Sequence, residues 1–254
     1  MNRKDVLLQR LEEIGRSVEG SGHGLAVIGL GSVGLERHRV DDYSDLDFFV
    51  IVEDGYKARV LDDLDWLRVA APIGYSFRNT VDGHKVLFAD GVFCEFAVFE
   101  AAELPRIPFA PGRMVWKRPQ VPETLAVPVH LPHPPEGRTE AWLLGEALTN
   151  LYVGLGRFRR GEKLAAARLV QTFAVDRVIE LHELQMGRTG PDRDPFASER
   201  RLERRHPEWA ALLPTFVPGY ELTPAAARAI LEYLSARYEV NALMAAEIRA
   251  LAEA

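Results

Sequence analysis

The sequence predicts an α+β protein in which a mixed, partly antiparallel sheet with flanking helices is followed by a C-terminal helical bundle. Short apolar or alternating runs with strong turn signals fill the first hundred residues, and apolar residues recur at helical spacing in the second half. Between them, nine of the sixteen prolines crowd into residues 105–135. We therefore predict an N-terminal domain over residues 1–104, an extended proline-rich connector over 105–136 and a helical domain over 137–254.

Periodicity and turn chemistry predict the N-terminal elements. Apolar residues at helical spacing, Val6, Leu7, Leu11 and Ile14, predict a first helix that ends at the glycines near residue 20. Strands are predicted over residues 25–29, 45–52, 73–78, 85–89 and 92–99, with a helix over 60–66. Asp90-Gly91 predicts a tight primed hairpin turn because both positions tolerate a positive φ. A second turn at Val81-Asp82-Gly83 makes consecutive hairpins, so the sheet is expected to be partly antiparallel.

The second half of the chain is predicted to be helical. Apolar stripes at three- and four-residue spacing predict helices over residues 139–156 and 162–185, separated at Arg160-Gly161. A third segment is predicted to start at Thr223 as N-cap, with Pro224 at the first helical position, and to continue to Ile248. These helices predict a small bundle.

Composition and charge exclude several classes of partner. The chain has 254 residues and a formal net charge of −6, with −8 on residues 1–103 and +2 on the rest, which disfavours a long polynucleotide. No apolar run is longer than the five residues of 48–52, which is too short to cross a bilayer, and the first residues do not resemble a signal peptide. Cys94 has no second cysteine to pair with. We expect a cytoplasmic protein that binds neither membrane nor polynucleotide.

A glycine-rich loop after the first strand allows two interpretations. Residues 29–34, Gly-Leu-Gly-Ser-Val-Gly, spell the G-x-G-x-x-G pattern of dinucleotide-binding proteins, which would make the chain an NAD(P)-dependent oxidoreductase of the Rossmann type. That fold needs a helix packed on the sheet between this loop and the next strand, but residues 35–44 carry too little apolar surface to form one. The Rossmann interpretation is therefore the less favoured one.

Three acidic residues support a different interpretation. Asp45 and Asp47 stand two residues apart at the start of a strand, so both side chains project to the same face. Two such carboxylates repel each other unless a cation lies between them, and hard oxygen ligands suit Mg²⁺. Glu95 stands inside an apolar strand, where a charged side chain is expected to face a partner or a polar site. We predict that the three form one acidic site.

The combination of these motifs resembles the nucleotidyltransferase superfamily, which shares the palm of DNA polymerase β. The resemblance is greatest to the antibiotic-modifying branch, and within it to the two-domain lincosamide nucleotidyltransferases. It covers about residues 20–185, and it depends on Gly31-Ser32, the run Asp41-Asp42-Tyr43-Ser44-Asp45-Leu46-Asp47-Phe48-Phe49, the later Cys94-Glu95-Phe96, and Asn150-Leu151-Tyr152 followed by Arg159-Arg160-Gly161-Glu162.

The resemblance implies a role for each motif. Gly31 and Ser32 would hold nucleotide phosphates at a helix N-terminus, Asp45 and Asp47 would bind Mg²⁺, and Glu95 would be the general base and a further carboxylate of the metal site. The basic residue that binds the triphosphate stays open among Arg37, Arg39, Arg160 and Lys163, because the family's usual position is not basic here.

The resemblance also implies an enzyme of the EC 2.7.7 type, active as a homodimer. It would transfer a nucleoside monophosphate from ATP or another nucleoside triphosphate to a hydroxyl of a small molecule and release pyrophosphate. A lincosamide or aminoglycoside antibiotic is the implied acceptor, which would make the protein an antibiotic-resistance factor. Two alternatives stay open: a nucleotidyltransferase acting on a protein or ordinary metabolite, and a nucleotide-binding protein without catalysis.

Overall fold

The computed structural model describes residues 2–131, 138–186, 194 and 196–253. The chain forms two compact units, Met1–Pro132 and His133–Ala254. The first contains a six-stranded mixed sheet with helices, and the second is helical. The predicted α+β class is confirmed. The predicted end of the connector, at residue 136, lies outside the described residues.

The sheet of the first unit has the strand order β3-β4-β5-β2-β1-β6. Its strands are β1 (Gly24–Gly29), β2 (Leu46–Val52), β3 (Ile73–Arg78), β4 (Gly83–Phe88), β5 (Phe93–Glu100) and β6 (Arg113–Lys117). The central pair β2 and β5 is parallel, and every other neighbouring pair is antiparallel. Because β1 and β2 are antiparallel and only short 3₁₀ turns separate them, the βαβ unit that a Rossmann fold needs is not present. The Rossmann interpretation of the glycine loop is therefore wrong.

Three helices cover one face of the sheet: α1 (Arg3–Gly20), α2 (Lys57–Asp62) and α3 (Asp65–Arg68). Asn2 caps α1, its side chain accepting a hydrogen bond from the Asp5 backbone N–H. The helix predicted over residues 60–66 is two short helices instead. The core on this face combines Leu7, Leu11 and Ile14 of α1 with the inward strand residues Phe48, Val50, Phe96 and Val98.

The opposite face of the sheet is only partly covered. Residues of the proline-rich stretch pack over Ala26, Ile28, Ile51 and Phe99 and form a second core that includes Leu104, Phe109, Val121 and Ala126. The stretch also supplies β6, which lies between Pro111 and Pro119 and pairs with β1 at the edge of the sheet. This packing covers the ends of β2 and β5 that carry Phe49 and Phe99 and leaves their opposite ends partly exposed.

The hairpin that joins β4 to β5 is confirmed, but its turn is not the predicted one. Phe88 and Val92 are hydrogen-bonded across it, so the loop has three residues, and Gly91 has a φ of 82° while Asp90 is not in the positive-φ region. A three-residue loop with glycine in the left-handed conformation is the next commonest hairpin connection after the primed turns. The pairing that results sets Lys85 opposite Glu95.

The second unit is a helical bundle. Its helices are α4 (Glu140–Arg159), α5 (Lys163–Arg168), α6 (Val175–Gln185), α7 (Leu202–Arg205), α8 (Trp209–Phe216), α9 (Thr223–Ser235) and α10 (Ala242–Glu253). A π-helical segment, Leu169–Ala174, joins α5 to α6, so the helix predicted over residues 162–185 is confirmed. The break before α5 is also confirmed, with Gly161 at a φ of 80°. Within the described ranges, no helix is long and apolar enough to cross a bilayer.

The single C-terminal helix predicted from Thr223 to Ile248 is wrong in two respects. The chain breaks between α9 and α10, and the Asn241 side chain accepts a hydrogen bond from the Met244 backbone N–H at 3.0 Å, a capping interaction that starts a new helix. Thr223 is itself the first helical residue, and its hydroxyl donates to the Tyr220 carbonyl oxygen instead of capping the helix.

Candidate active site

The strand pairing brings two of the three predicted carboxylates, those of Asp47 and Glu95, side by side. The parallel register of β2 and β5 sets Asp47 directly beside Glu95. Neighbouring strands lie about 4.8 Å apart, so the two residues are close neighbours on one face of the sheet. Asp45 comes two residues earlier, before the start of β2, and the ligand oxygens of the three carboxylates do not all lie within 4.8 Å of one another. All three are partly exposed, at the end of the face that the proline-rich stretch leaves open.

Two neighbouring side chains hold the Glu95 carboxylate. The Asn79 amide donates a hydrogen bond from Nδ2 to Glu95 Oε1 at 2.8 Å, and Lys85 Nζ lies 3.3 Å from Glu95 Oε2. Lys85 and Glu95 are each 43% exposed, so this ion pair is open to solvent. The Asn79 Oδ1 atom is buried and has no hydrogen-bond partner within the described ranges. The Glu95 carboxylate is therefore oriented and partly charge-balanced before any ligand arrives.

The glycine loop lies against Asp47. The backbone N–H of Leu30 donates to the Asp47 carbonyl oxygen at 2.8 Å, which ties the loop to β2. Gly31 has a φ of 50°, and a Cβ added there would lie 4.0 Å from Asp47 Oδ2. There is no room for a side chain at Gly34, because a Cβ there would lie 2.6 Å from the Gly29 carbonyl oxygen. The loop thus packs its backbone close to the acidic site.

The helix N-terminus expected at Gly31 and Ser32 is not there. Residues 31–33 form a single 3₁₀ turn, and a second such turn follows at residues 37–39. The Gly34 N–H is already used inside the loop, where it donates to the carbonyl oxygens of Leu30 and Gly31. The prediction of helix-terminal donors is therefore wrong, because residues 35–44 have no apolar stripe with which a helix could pack on the sheet.

Electrostatics at Cys94 reflect the nearby aspartates. This thiol is fully buried in the core behind the acidic face. Burial is the main cause that raises its pKa, and the negative charge of Asp47 and, more weakly, that of Asp45 raise it further. Cys94 is thus a protonated core residue, and the chemistry of the site belongs to its oxygen atoms.

The basic residues considered for phosphate binding have different surroundings. Arg37 is exposed on the loop after Gly31, and Arg39 forms an ion pair with Glu36. Lys163 and Arg160 belong to the helical unit. Lys163 Nζ lies 2.7 Å from Glu221 Oε2, and that hydrogen bond raises its pKa. Lys85 contacts Glu95 directly, and sequence reasoning missed it.

An exposed apolar surface adjoins the carboxylates on the same face. Phe77 of β3 pairs with Lys85, and Tyr75, two residues away on the same strand, pairs with Leu87. The exposed fractions are 53% for Phe77, 58% for Tyr75 and 39% for Leu87. Alternating strand geometry puts these side chains on the face of Lys85 and Glu95. The candidate site thus combines the acidic residues Asp47 and Glu95 with an adjacent exposed apolar surface formed by Phe77, Tyr75 and Leu87.

A cleft of about 700 Å³ lies elsewhere in the first unit. Its lining comes from the C-terminal half of α1 and from residues 56–70, including Arg16, Tyr56, Arg59 and Trp66. Those elements cover the face of the sheet opposite the carboxylates. None of the three predicted acidic residues lines this cleft.

The donor chemistry at Asp45 and Asp47 fits Mg²⁺. Both supply hard carboxylate oxygens at the N-terminal end of β2, and the Gly31 backbone leaves room next to Asp47. Glu95 fits less well as a metal ligand because Asn79 and Lys85 already engage its two oxygen atoms. Asp45 and Asp47 would therefore hold the ion, with Glu95 beside it.

Two solved structures are similar to the chain over most of its length. An aminoglycoside 6-adenyltransferase from Bacillus subtilis is 14% identical, with 97% of this chain and 97% of that chain covered and a TM-score of 0.30. A nucleotidyltransferase-like protein from Exiguobacterium sibiricum is 12% identical, with 93% of this chain and 77% of that chain covered and a TM-score of 0.35. No family model and no curated protein matches the sequence.

Proposed function

We propose that the protein is a nucleotidyltransferase that transfers a nucleoside monophosphate from ATP, or another nucleoside triphosphate, to a hydroxyl group of a small molecule. The observation that carries this proposal is the pairing of Asp47 with Glu95 beside the Gly31 loop, with Asp45 at the entry to the same strand. Two carboxylates side by side, with a third just before the same strand, suit a reaction that needs a bound cation and a general base.

The residues divide the chemistry among themselves. The acceptor hydroxyl oxygen bonds to the α-phosphorus, the bond from that phosphorus to the oxygen bridging to the β-phosphate breaks, and pyrophosphate leaves. Glu95 takes the hydroxyl proton, while Asn79 and Lys85 keep its carboxylate oriented. Asp45 and Asp47 would hold Mg²⁺, which supplies charge neutralisation on the phosphoryl oxygens when bound.

The acceptor is proposed to pack on the exposed apolar surface formed by Phe77, Tyr75 and Leu87. Phe77 and Leu87 flank Lys85 on the open face, and their exposed surfaces suit the apolar side of a sugar ring or a nucleobase. From the family resemblance we propose a lincosamide or aminoglycoside as acceptor, and a homodimer as the active form. The net charge of −8 on residues 1–103 suits an amine-bearing acceptor.

The direct test is pyrophosphate release with Mg²⁺ and ATP across lincosamides, aminoglycosides and hydroxyl metabolites, with mass spectrometry of the product. The proposal expects a product heavier by one nucleoside monophosphate. Asp47→Asn is expected to abolish transfer, whereas the matched control Asp42→Asn, on an exposed loop residue, keeps it. Nucleotide binding without pyrophosphate release on any acceptor would favour the non-catalytic alternative.

A further inference from the structure

Three metal-binding side chains meet in the helical unit. His182 lies on α6, His206 follows α7, and Glu208 precedes α8. One ligand atom from each lies within 4.8 Å of the other two. His206 Nδ1 is 3.7 Å from Glu208 Oε1, and His182 Nε2 is 4.0 Å from the same oxygen.

These separations are close to those of a tetrahedral metal site. With zinc bonds of about 2.0–2.1 Å to nitrogen and oxygen, neighbouring ligands of a tetrahedral ion lie about 3.4 Å apart. The distances from Glu208 Oε1 to the two histidines, 3.7 and 4.0 Å, are somewhat longer than that value, and the two histidine nitrogens lie within 4.8 Å of each other. Glu208 is 60% exposed and can rotate, so a small movement of its carboxylate is enough to close the site.

The two imidazoles are largely buried and pack against each other. His182 and His206 are 14% and 15% exposed, and their rings pack edge to face at 4.5 Å. His182 Nε2 is buried and has no hydrogen-bond partner in the part of the chain that the structure describes. A buried nitrogen without a partner is costly, and a cation shared with His206 and Glu208 would satisfy it.

Arg205, the residue before His206, is engaged by other partners. Arg205 Nη1 donates to Glu183 Oε1 at 2.7 Å, and its Nη2 donates to the Ser198 carbonyl oxygen at 2.6 Å. Over the described ranges, Glu208 forms no ion pair with lysine or arginine. Its carboxylate therefore faces the two histidines with its negative charge available.

We propose that His182, His206 and Glu208 bind Zn²⁺ or a similar late first-row divalent cation, with water completing the coordination on the exposed side. Two imidazoles and one carboxylate are a donor set that suits zinc better than magnesium. The bound ion fastens α6 to the corner between α7 and α8. Met186 occupies the place of the second histidine of an H-E-x-x-H motif, so the second imidazole comes from His206, far along the chain.

The test is a titration of the tag-free, chelator-stripped full chain with Co²⁺ and Zn²⁺. Isothermal calorimetry should give one Zn²⁺ site, and Co²⁺ should give a visible absorption band that Zn²⁺ displaces. Zn²⁺ at a hundredfold excess over Kd should raise the Tm of the helical unit by at least about 5 °C. His206→Gln, His182→Gln and Glu208→Gln should each weaken binding by at least about tenfold.

The controls separate this site from others. His130→Gln removes an exposed histidine outside the cluster and should leave Zn²⁺ binding unchanged. Glu208→Gln changes a largely exposed side chain, so lost binding there cannot come from unfolding. The proposal is overturned if the wild-type chain binds no Zn²⁺, if the three cluster variants still bind it normally, or if binding is lost instead in Asp47→Asn.

Discussion

Replacing Glu95 by glutamine separates catalysis from stability at the acidic site. Glutamine keeps the size of the side chain and an oxygen that can accept from Asn79, so the strand pairing of β5 is unchanged. It removes the negative charge that faces Lys85 at 3.3 Å and neighbours Asp47 on β2. If Glu95 is the general base, the variant should lose transfer activity while its fold persists.

The expected stability change is small because two effects oppose each other. Losing an ion pair whose side chains are each 43% exposed costs about 0.2–1 kcal/mol. Removing the repulsion between two carboxylates on strands about 4.8 Å apart stabilises the fold by about 1 kcal/mol if the local dielectric constant is close to that of water. The free energy of unfolding should therefore stay within about 1 kcal/mol of wild type, and Tm within a few degrees.

The expected loss of activity is much larger. A positioned general base contributes a factor of about 10²–10⁴, so kcat for pyrophosphate release should fall by that factor. The assay is steady-state pyrophosphate release with Mg²⁺ and the best acceptor, beside thermal unfolding of the same samples, and Asp42→Asn is the control. Glu95→Gln with more than about a tenth of wild-type kcat would refute the general-base role.

Two further predictions concern stability. Gly34→Ala should destabilise the first unit by about 1–3 kcal/mol in urea unfolding, because its methyl group would lie 2.6 Å from the Gly29 carbonyl oxygen. The control Gly20→Ala meets no atom within 4 Å and should not destabilise, so equal effects would contradict the packing described. The hydrogen bond from Arg10 holds the pKa of the Asp90 carboxyl below its usual 3.8. The Arg10–Asp90 pair therefore contributes its full stabilisation above pH 3.8, and this stabilisation is lost as the pH falls through the lower folded-state pKa. Asp90→Asn should remove that part of the acid dependence, and an unchanged pH profile would show that the pair contributes nothing.

The proximity of Asp47 and Glu95 could be predicted from the sequence. Alternation along β2 separates Asp47 from the buried residues Leu46 and Phe48, and the unusual position of a glutamate among apolar residues marks Glu95. The element types were also predictable, because apolar periodicity separates the strands of the first unit from the helices of the second. These features depend on local spacing, which a single sequence displays directly.

Lys85 was missed because strand register depends on turn geometry. A two-residue turn at Asp90-Gly91 would pair Lys85 with Phe96 and point it to the opposite face from Glu95. The actual three-residue loop shifts the pairing by one residue and brings Lys85 beside the carboxylate. The signal that could have found it is the alternation of Lys85 with the buried residues Val86 and Phe88.

Contacts between distant segments were beyond the sequence as well. Residues 182 and 206 belong to different helical elements, so the spacing of the histidines gives no metal motif. The break before α10 was overlooked although Asn241 is a good N-cap residue, since apolar residues continue at helical spacing on both sides of it. Tertiary packing decides these features, and local propensity does not.

The most direct test of the acidic site is a crystal structure of the protein with Mn²⁺ and an ATP analogue whose α,β-bridge cannot be cleaved. We expect an anomalous Mn²⁺ peak between the carboxylates of Asp45 and Asp47, with the α-phosphate in reach of Glu95. Nucleotide and metal bound instead in the cleft beside α1, with the carboxylates of β2 and β5 untouched, would contradict it.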